Sequence, residues 1–208
     1  MKYKIKEEEM FNFLSKWLKT GYEVSATICK KDNTLHFENI TIGSKEKVKI
    51  PEFSCNEGTP FGYIHTHSEE KGISDVDIFC YLQHSLTDKT KFPRMDCVIY
   101  PMYDKDGRLY KIGMECDYVS KIKHDDVKQI PKFGKERDEQ NIEFIKHGNP
   151  YIIRGLFEKM AFIADMNEIR KSLIDKKLIK NKRQDIAKII WKNNKPSEID
   201  IDDIELDF

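Results

Sequence analysis

Apolar positions recur three and four apart through "EEEMFNFLSKWLK", where Met10, Phe11, Leu14, Trp17 and Leu18 predict one face of a helix over 7–19. Gly21 stands just past its end as a C-cap. The pattern then switches to short β-rich runs. "EVSATICK" and "TLHFENITIG" flank the turn-forming pair Asp32-Asn33 and read as a hairpin. "KVKIPEF" is a candidate strand, and "FGYIHTH" is an apolar strand that emerges into a polar loop. Helical spacing returns from Ser74, with Val76, Ile78, Phe79, Leu82 and Leu86 on one side. "MDCVIYPMY" and "LYKIGMECDYV" are joined by "DKDGR", whose Asp-Gly pair favours a tight hairpin. The order helix, strands, helix, strands predicts an α+β domain over 1–130.

Beyond "QIPKFGKERDEQ" helix formers dominate, and 131–208 reads as a helical extension with an acidic C-terminal tail. Positions 168–195 carry ten Lys or Arg against three Asp or Glu, while "SEIDIDDIELDF" has six acids and no base. The basic segment reads as a solvated helical face or a partner surface; it lacks the aromatic interleaving of a nucleic-acid site. In the tail, Ile199, Ile201, Leu206 and Phe208 nearly alternate with acids. That pattern fits either a disordered end or a strand added to a sheet edge.

The 208 residues balance 36 Lys plus Arg against 36 Asp plus Glu, which removes any global charge argument for nucleic acid or an anionic membrane. No apolar run approaches the ~20 residues of a membrane span, and "MKYKIKEEEMFNFL" lacks a secretory signal's apolar stretch, so the chain reads as cytoplasmic. Cys29, Cys55, Cys80, Cys97 and Cys116 form an odd, widely spaced set and read as thiols rather than disulfides.

The densest chemistry lies in "HTHSEEKGISDVD", residues 65–77. Strand alternation puts His65 and His67 on one face, and Asp77 falls in the first turn of the following helix. Two imidazoles and a carboxylate suit Zn2+ and leave a fourth coordination position for water, whose pKa zinc lowers to about 7. Hydrolysis then needs an acid/base. Glu23, which starts the first strand after the first helix and can lie beside the histidine strand, is the best candidate for that group, Glu38 is its rival, and Ser74 is a candidate oxyanion donor. Ser74 and Asp77 equally match a helix capping pattern.

This constellation of Glu23, "HTHS" at 65–68 and "SDVD" at 74–77 resembles the JAMM (JAB1/MPN+) metalloprotease family. It departs at Ser68 and Ile73, where the family has proline, and its intervening loop is one residue short. The resemblance covers about residues 5–125 and implies a cytidine-deaminase-like α/β/α sandwich. It also implies zinc held by His65, His67 and Asp77, with Glu23 as acid/base and Ser74 supporting the tetrahedral intermediate. The expected reaction is cleavage of a peptide or isopeptide bond at the C-terminal tail of a ubiquitin-like protein. The alternative is a non-catalytic MPN-type binding module.

Overall fold

Nine strands form one mixed sheet in the computed structural model, which describes residues 1–74, 76–81, 93–119 and 162–208. The strands are β1 (Lys2–Ile5), β2 (Val24–Lys31), β3 (Thr34–Ile42), β4 (Thr59–Thr66), β5 (Met95–Tyr103), β6 (Leu109–Val119), β7 (Ile179–Lys192), β8 (Lys195–Ile201) and β9 (Ile204–Asp207). The helical segments are α1 (Glu7–Thr20), α2 (residues 76–81) and α3 (Phe162–Asp175). The sheet order is β8-β7-β6-β5-β4-β2-β3-β1-β9, parallel at β1–β3 and β4–β5. Its edge strands β8 and β9 are separated in the chain by residues 202–203 alone.

This corrects the expected α/β/α sandwich with a helical C-terminal extension. Strand dominates the described residues, and the segment 168–195 read as basic helices is helical only as far as Asp175, in α3, with β7 taking Ile179–Lys192. Lys and Arg favour helix only weakly as single residues, and pairing outweighs that preference. β7 runs antiparallel to β8 over Ala187–Lys192, with Ile189 opposite Ile199. The acidic tail is ordered as strand: β9 pairs antiparallel with β1, burying Ile204 and Leu206. "KVKIPEF" is not a strand but part of the segment 43–58, whose polar backbone is taken up by side chains. Ser25 Oγ donates to Lys49 O at 2.7 Å, and Thr27 Oγ1 to Glu52 O at 2.7 Å.

The chain divides into two compact units. The first comprises Met1–Gly72, Met95–Asp117 and Asn181–Phe208. Here α1 buries Met10, Phe13, Leu14 and Trp17, with the Phe13 ring 5.3 Å from that of Phe37 on β3; Phe11 is exposed. The helix stops at Gly21, whose left-handed φ of 66° lets its N–H reach Trp17 O at 2.7 Å. β2 and β3 form the expected hairpin across Asp32 and Asn33. Segment 43–58 lies over the face of β2 that carries Ser25 and Thr27.

The second unit comprises Ile73–Arg94 and Tyr118–Lys180. α3 buries Met166, Ile169 and Leu173. It ends in a Schellman turn: Lys177 has φ 59°, Lys177 N–H bonds Ile174 O, and Leu178 N–H bonds Leu173 O. In α2, Ile78, Phe79 and Tyr81 are buried. Leu82 and Leu86, expected on the same helix, lie outside the described residues.

Four of the cysteines read as thiols are paired, Cys29 with Cys55 and Cys97 with Cys116. Their sequence separations of 26 and 19 hid this, because spacing does not fix connectivity. Among the described residues no helix is long and apolar enough to cross a membrane.

Candidate metal centre

β4 alternates between buried Ile64 and Thr66 and half-buried Tyr63 and His65, with half-buried His67 following at its end. The strand is central, paired with β2 on one side and β5 on the other, so its backbone is fixed on both edges. His67 extends that grip by donating its N–H to Ile99 O at 2.7 Å. The two imidazoles therefore emerge from one face at one end of a rigid strand. Their Nε2 atoms lie 3.0 Å apart and their ring centroids 4.8 Å apart. Two nitrogens on one tetrahedral zinc, each bonded at 2.0–2.1 Å, would stand about 3.3 Å apart, so the pair is already near ligand spacing.

The second nitrogen of His67 strengthens that reading. Nδ1 lies 3.1 Å from Lys71 O, an acceptor only, so Nδ1 carries the proton and donates it. The Nε2 lone pair of neutral His67 is then directed at the partner imidazole. Metal-binding histidines are usually held this way, with the remote ring N–H on a carbonyl or carboxylate that sets tautomer and ring plane. Lys71 was not singled out in the sequence, because a main-chain carbonyl four residues on carries no residue-type signal. The donor set and its support fit zinc.

Glu23 is buried, at 9% exposure. Its N–H donates to Ser44 O at 2.8 Å, and its carbonyl accepts from Gly43 N–H at 2.8 Å. Ser25 pairs with His65 across β2 and β4. Glu23 directly precedes β2, as His67 directly follows β4. Between them, Val24 N–H is accepted by Thr66 Oγ1 at 2.9 Å in fully buried surroundings. The expected acid/base thus stands at the end of β2 that pairs with the histidine end of β4.

Ser74 and Asp77 belong to the second unit and form a capping box at the start of α2. Ser74 N–H and Oγ–H both donate to Asp77 Oδ2, at 2.7 and 2.6 Å, and Asp77 N–H reaches Ser74 Oγ at 3.4 Å. Ile78 N–H to Ser74 O, 3.0 Å, closes the first turn. The hydroxyl expected to steady an oxyanion is here donated to the carboxylate expected to bind the metal.

Glu38, the rival base, is engaged elsewhere. It accepts N–H groups from Asn56 and Glu57 and lies 3.0 Å from His36 Nε2. Burial works to raise its pKa, but the two backbone donors and His36 together hold it below the usual carboxylate value. Glu69 makes a surface ion pair with Lys71, and Glu70 accepts the N–H of Tyr103. His84, His124 and His147 lie outside the described residues. No protein-family model matches this chain, and neither does any curated protein.

Proposed function

We propose that the chain is a zinc-dependent hydrolase cleaving a peptide or isopeptide bond at the C-terminal tail of a ubiquitin-like protein. His65 and His67 hold the ion, and Glu23 is the acid/base. The observation that carries this is the imidazole pair: two Nε2 atoms 3.0 Å apart, one ring fixed in its ligand tautomer by Lys71 O. When bound, zinc supplies a Lewis acid and a water acidic enough to react near neutral pH.

The chain's own groups do the rest. Glu23 accepts a proton at its carboxylate and returns it to the departing nitrogen. Ser74 restrains the Asp77 carboxylate through Oδ2. Because β2 and β5 occupy both edges of β4, a substrate tail cannot pair with the histidine strand. It would instead cross the carboxyl ends of the parallel pair β4 and β5 in extended form.

The test combines metal content with cleavage of ubiquitin-like fusions and conjugates. Wild type should bind one zinc through His65 and His67; Glu23→Gln should keep that metal and lose cleavage; His65→Ala should lose both. Full activity in Glu23→Gln refutes the acid/base assignment. A wild type whose zinc binding is unaffected by removing both histidines refutes the site.

A further inference from the structure

A second group of ligating side chains lies on the same face of the sheet, about 13 Å along β2 from the histidines. Cys29 is the cross-strand partner of His36, and Thr27 is that of Glu38, so Cys29, His36 and Glu38 share that face. Cys55 reaches them from segment 43–58. The ligand atoms of Cys29, Glu38 and Cys55 all lie within 4.8 Å of one another. Cys29 is fully buried, and Cys55 is half-buried. Beside the cysteines, a depression lined by His36, Phe37, Glu38, Ile40, Asn56 and Glu57 includes the carboxylate side of the cluster.

We propose that reduction of the Cys29–Cys55 bond converts this cluster into a zinc site with Cys29, Cys55 and Glu38 as ligands. His36 acts as a positioning residue, holding the Glu38 carboxylate at 3.0 Å. Two thiolates and a carboxylate are a donor set that zinc accepts readily. The chemistry balances with a phosphine as reductant. The disulfide gains two electrons and two protons to become two thiols, and the phosphine becomes its oxide with oxygen from water. Zinc binding then releases the two thiol protons.

Two sulfurs on one tetrahedral zinc at about 2.3 Å stand about 3.8 Å apart, so the sulfurs must separate once the bond is cut. Cys29 is fixed within a ladder paired on both sides, whereas Cys55 is on the connecting segment, so Cys55 is the side that moves. That segment is also tied down by Asn39 Nδ2, which donates to Glu52 O at 3.1 Å and Ser54 O at 2.8 Å. In a reducing compartment the metal would replace the covalent tie between segment 43–58 and β2. This inference is independent of the hydrolase reading.

The probe is Co2+ added anaerobically to full-length protein reduced with a phosphine. Thiolate-to-cobalt charge-transfer absorption should appear in wild type and persist in the His65→Ala/His67→Ala double variant, which removes the other centre. It should vanish in Cys55→Ser, and His36→Ala should weaken cobalt binding about 10- to 100-fold. A second measurement needs no variant: Zn2+ should shield Cys29 and Cys55, but not Cys80, from alkylation in reduced wild type. Absence of the band from the double variant, its survival in Cys55→Ser, or unshielded alkylation of Cys55 would each overturn the proposal.

Discussion

Thr66 offers a substitution whose sign separates hydrogen bonding from packing. Its side chain is fully buried between the two histidines in sequence, and its Oγ1 accepts the N–H of Val24, also fully buried, at 2.9 Å. Thr66→Val keeps the side chain's shape and replaces hydroxyl by methyl. On apolar burial alone it should stabilise by about 0.8 kcal/mol. It also strands the Val24 N–H, which costs about 1–3 kcal/mol when a buried donor loses its acceptor. The second effect is larger, so the expected net change is a loss centred near about 1 kcal/mol, or roughly 0.5 M in the urea midpoint. Thr66→Ser keeps the acceptor and loses only a methyl group. Amide exchange at Val24 should therefore accelerate in Thr66→Val and stay slow in Thr66→Ser. Because Glu23 is the next residue along, Thr66→Val should also lower cleavage more than zinc affinity. A Thr66→Val protein as stable as wild type, with an unchanged Val24 amide, would refute the reasoning.

Other perturbations test neighbouring parts of the frame. Glu38 has a folded-state pKa below its unfolded value, so its contribution is present above about pH 4.3 and is lost as pH falls through the folded pKa. Glu38→Gln should thus destabilise near neutrality, and the gap to wild type should narrow below about pH 4 in denaturation at stepped pH. Leu206 is fully buried on β9, and Leu206→Ala should cost about 2–5 kcal/mol in chemical unfolding, whereas a disordered tail would show no change. A Cβ on Gly62 would stand 2.1 Å from Met95 O, so Gly62→Ala should force β4 from β5, costing about 1–3 kcal/mol and weakening zinc binding in calorimetric titration.

What could be read from the sequence was what local rules determine. α1 announced itself through period and cap, and the β2–β3 hairpin through its Asp-Asn turn. Even there the helical spacing counts Phe11 on the buried face, whereas it is exposed: Phe13, two positions on and about 200° round the helix, takes the inward place. β1 was missed because "KYKI" offers only Tyr3 and Ile5 as an apolar face, which becomes persuasive once Leu206 and Ile204 lie opposite. β7 misled because its Lys and Arg residues suit helix and strand alike. The decision came from distant partners, such as Asn181 donating to Glu115 at 3.0 Å and Asp117 at 2.8 Å. At the site, alternation was enough to place His65 beside His67. The Lys71 carbonyl and the Cys29–Cys55 pairing depend on where loops return, which spacing does not encode.

A residue's identity is informative about function to the degree that folding fails to explain it. Ser74 and Asp77 satisfy a helix start, and that suffices to account for both, whatever else Asp77 binds. Thr66 is accounted for by the Val24 N–H. The histidines differ. Positions 65 and 67 are half-buried, and Tyr63 shows what the same face accepts two residues earlier, where its ring packs 5.2 Å from that of Phe53. A β-branched or aromatic residue would serve the strand as well at either position. Instead the chain sets two imidazoles nitrogen to nitrogen and commits a main-chain carbonyl to fixing one of them. Neither choice improves the sheet. Both suit the zinc site proposed above, and this surplus of organisation over folding need is the reason the proposal rests on the end of β4 rather than on the fold.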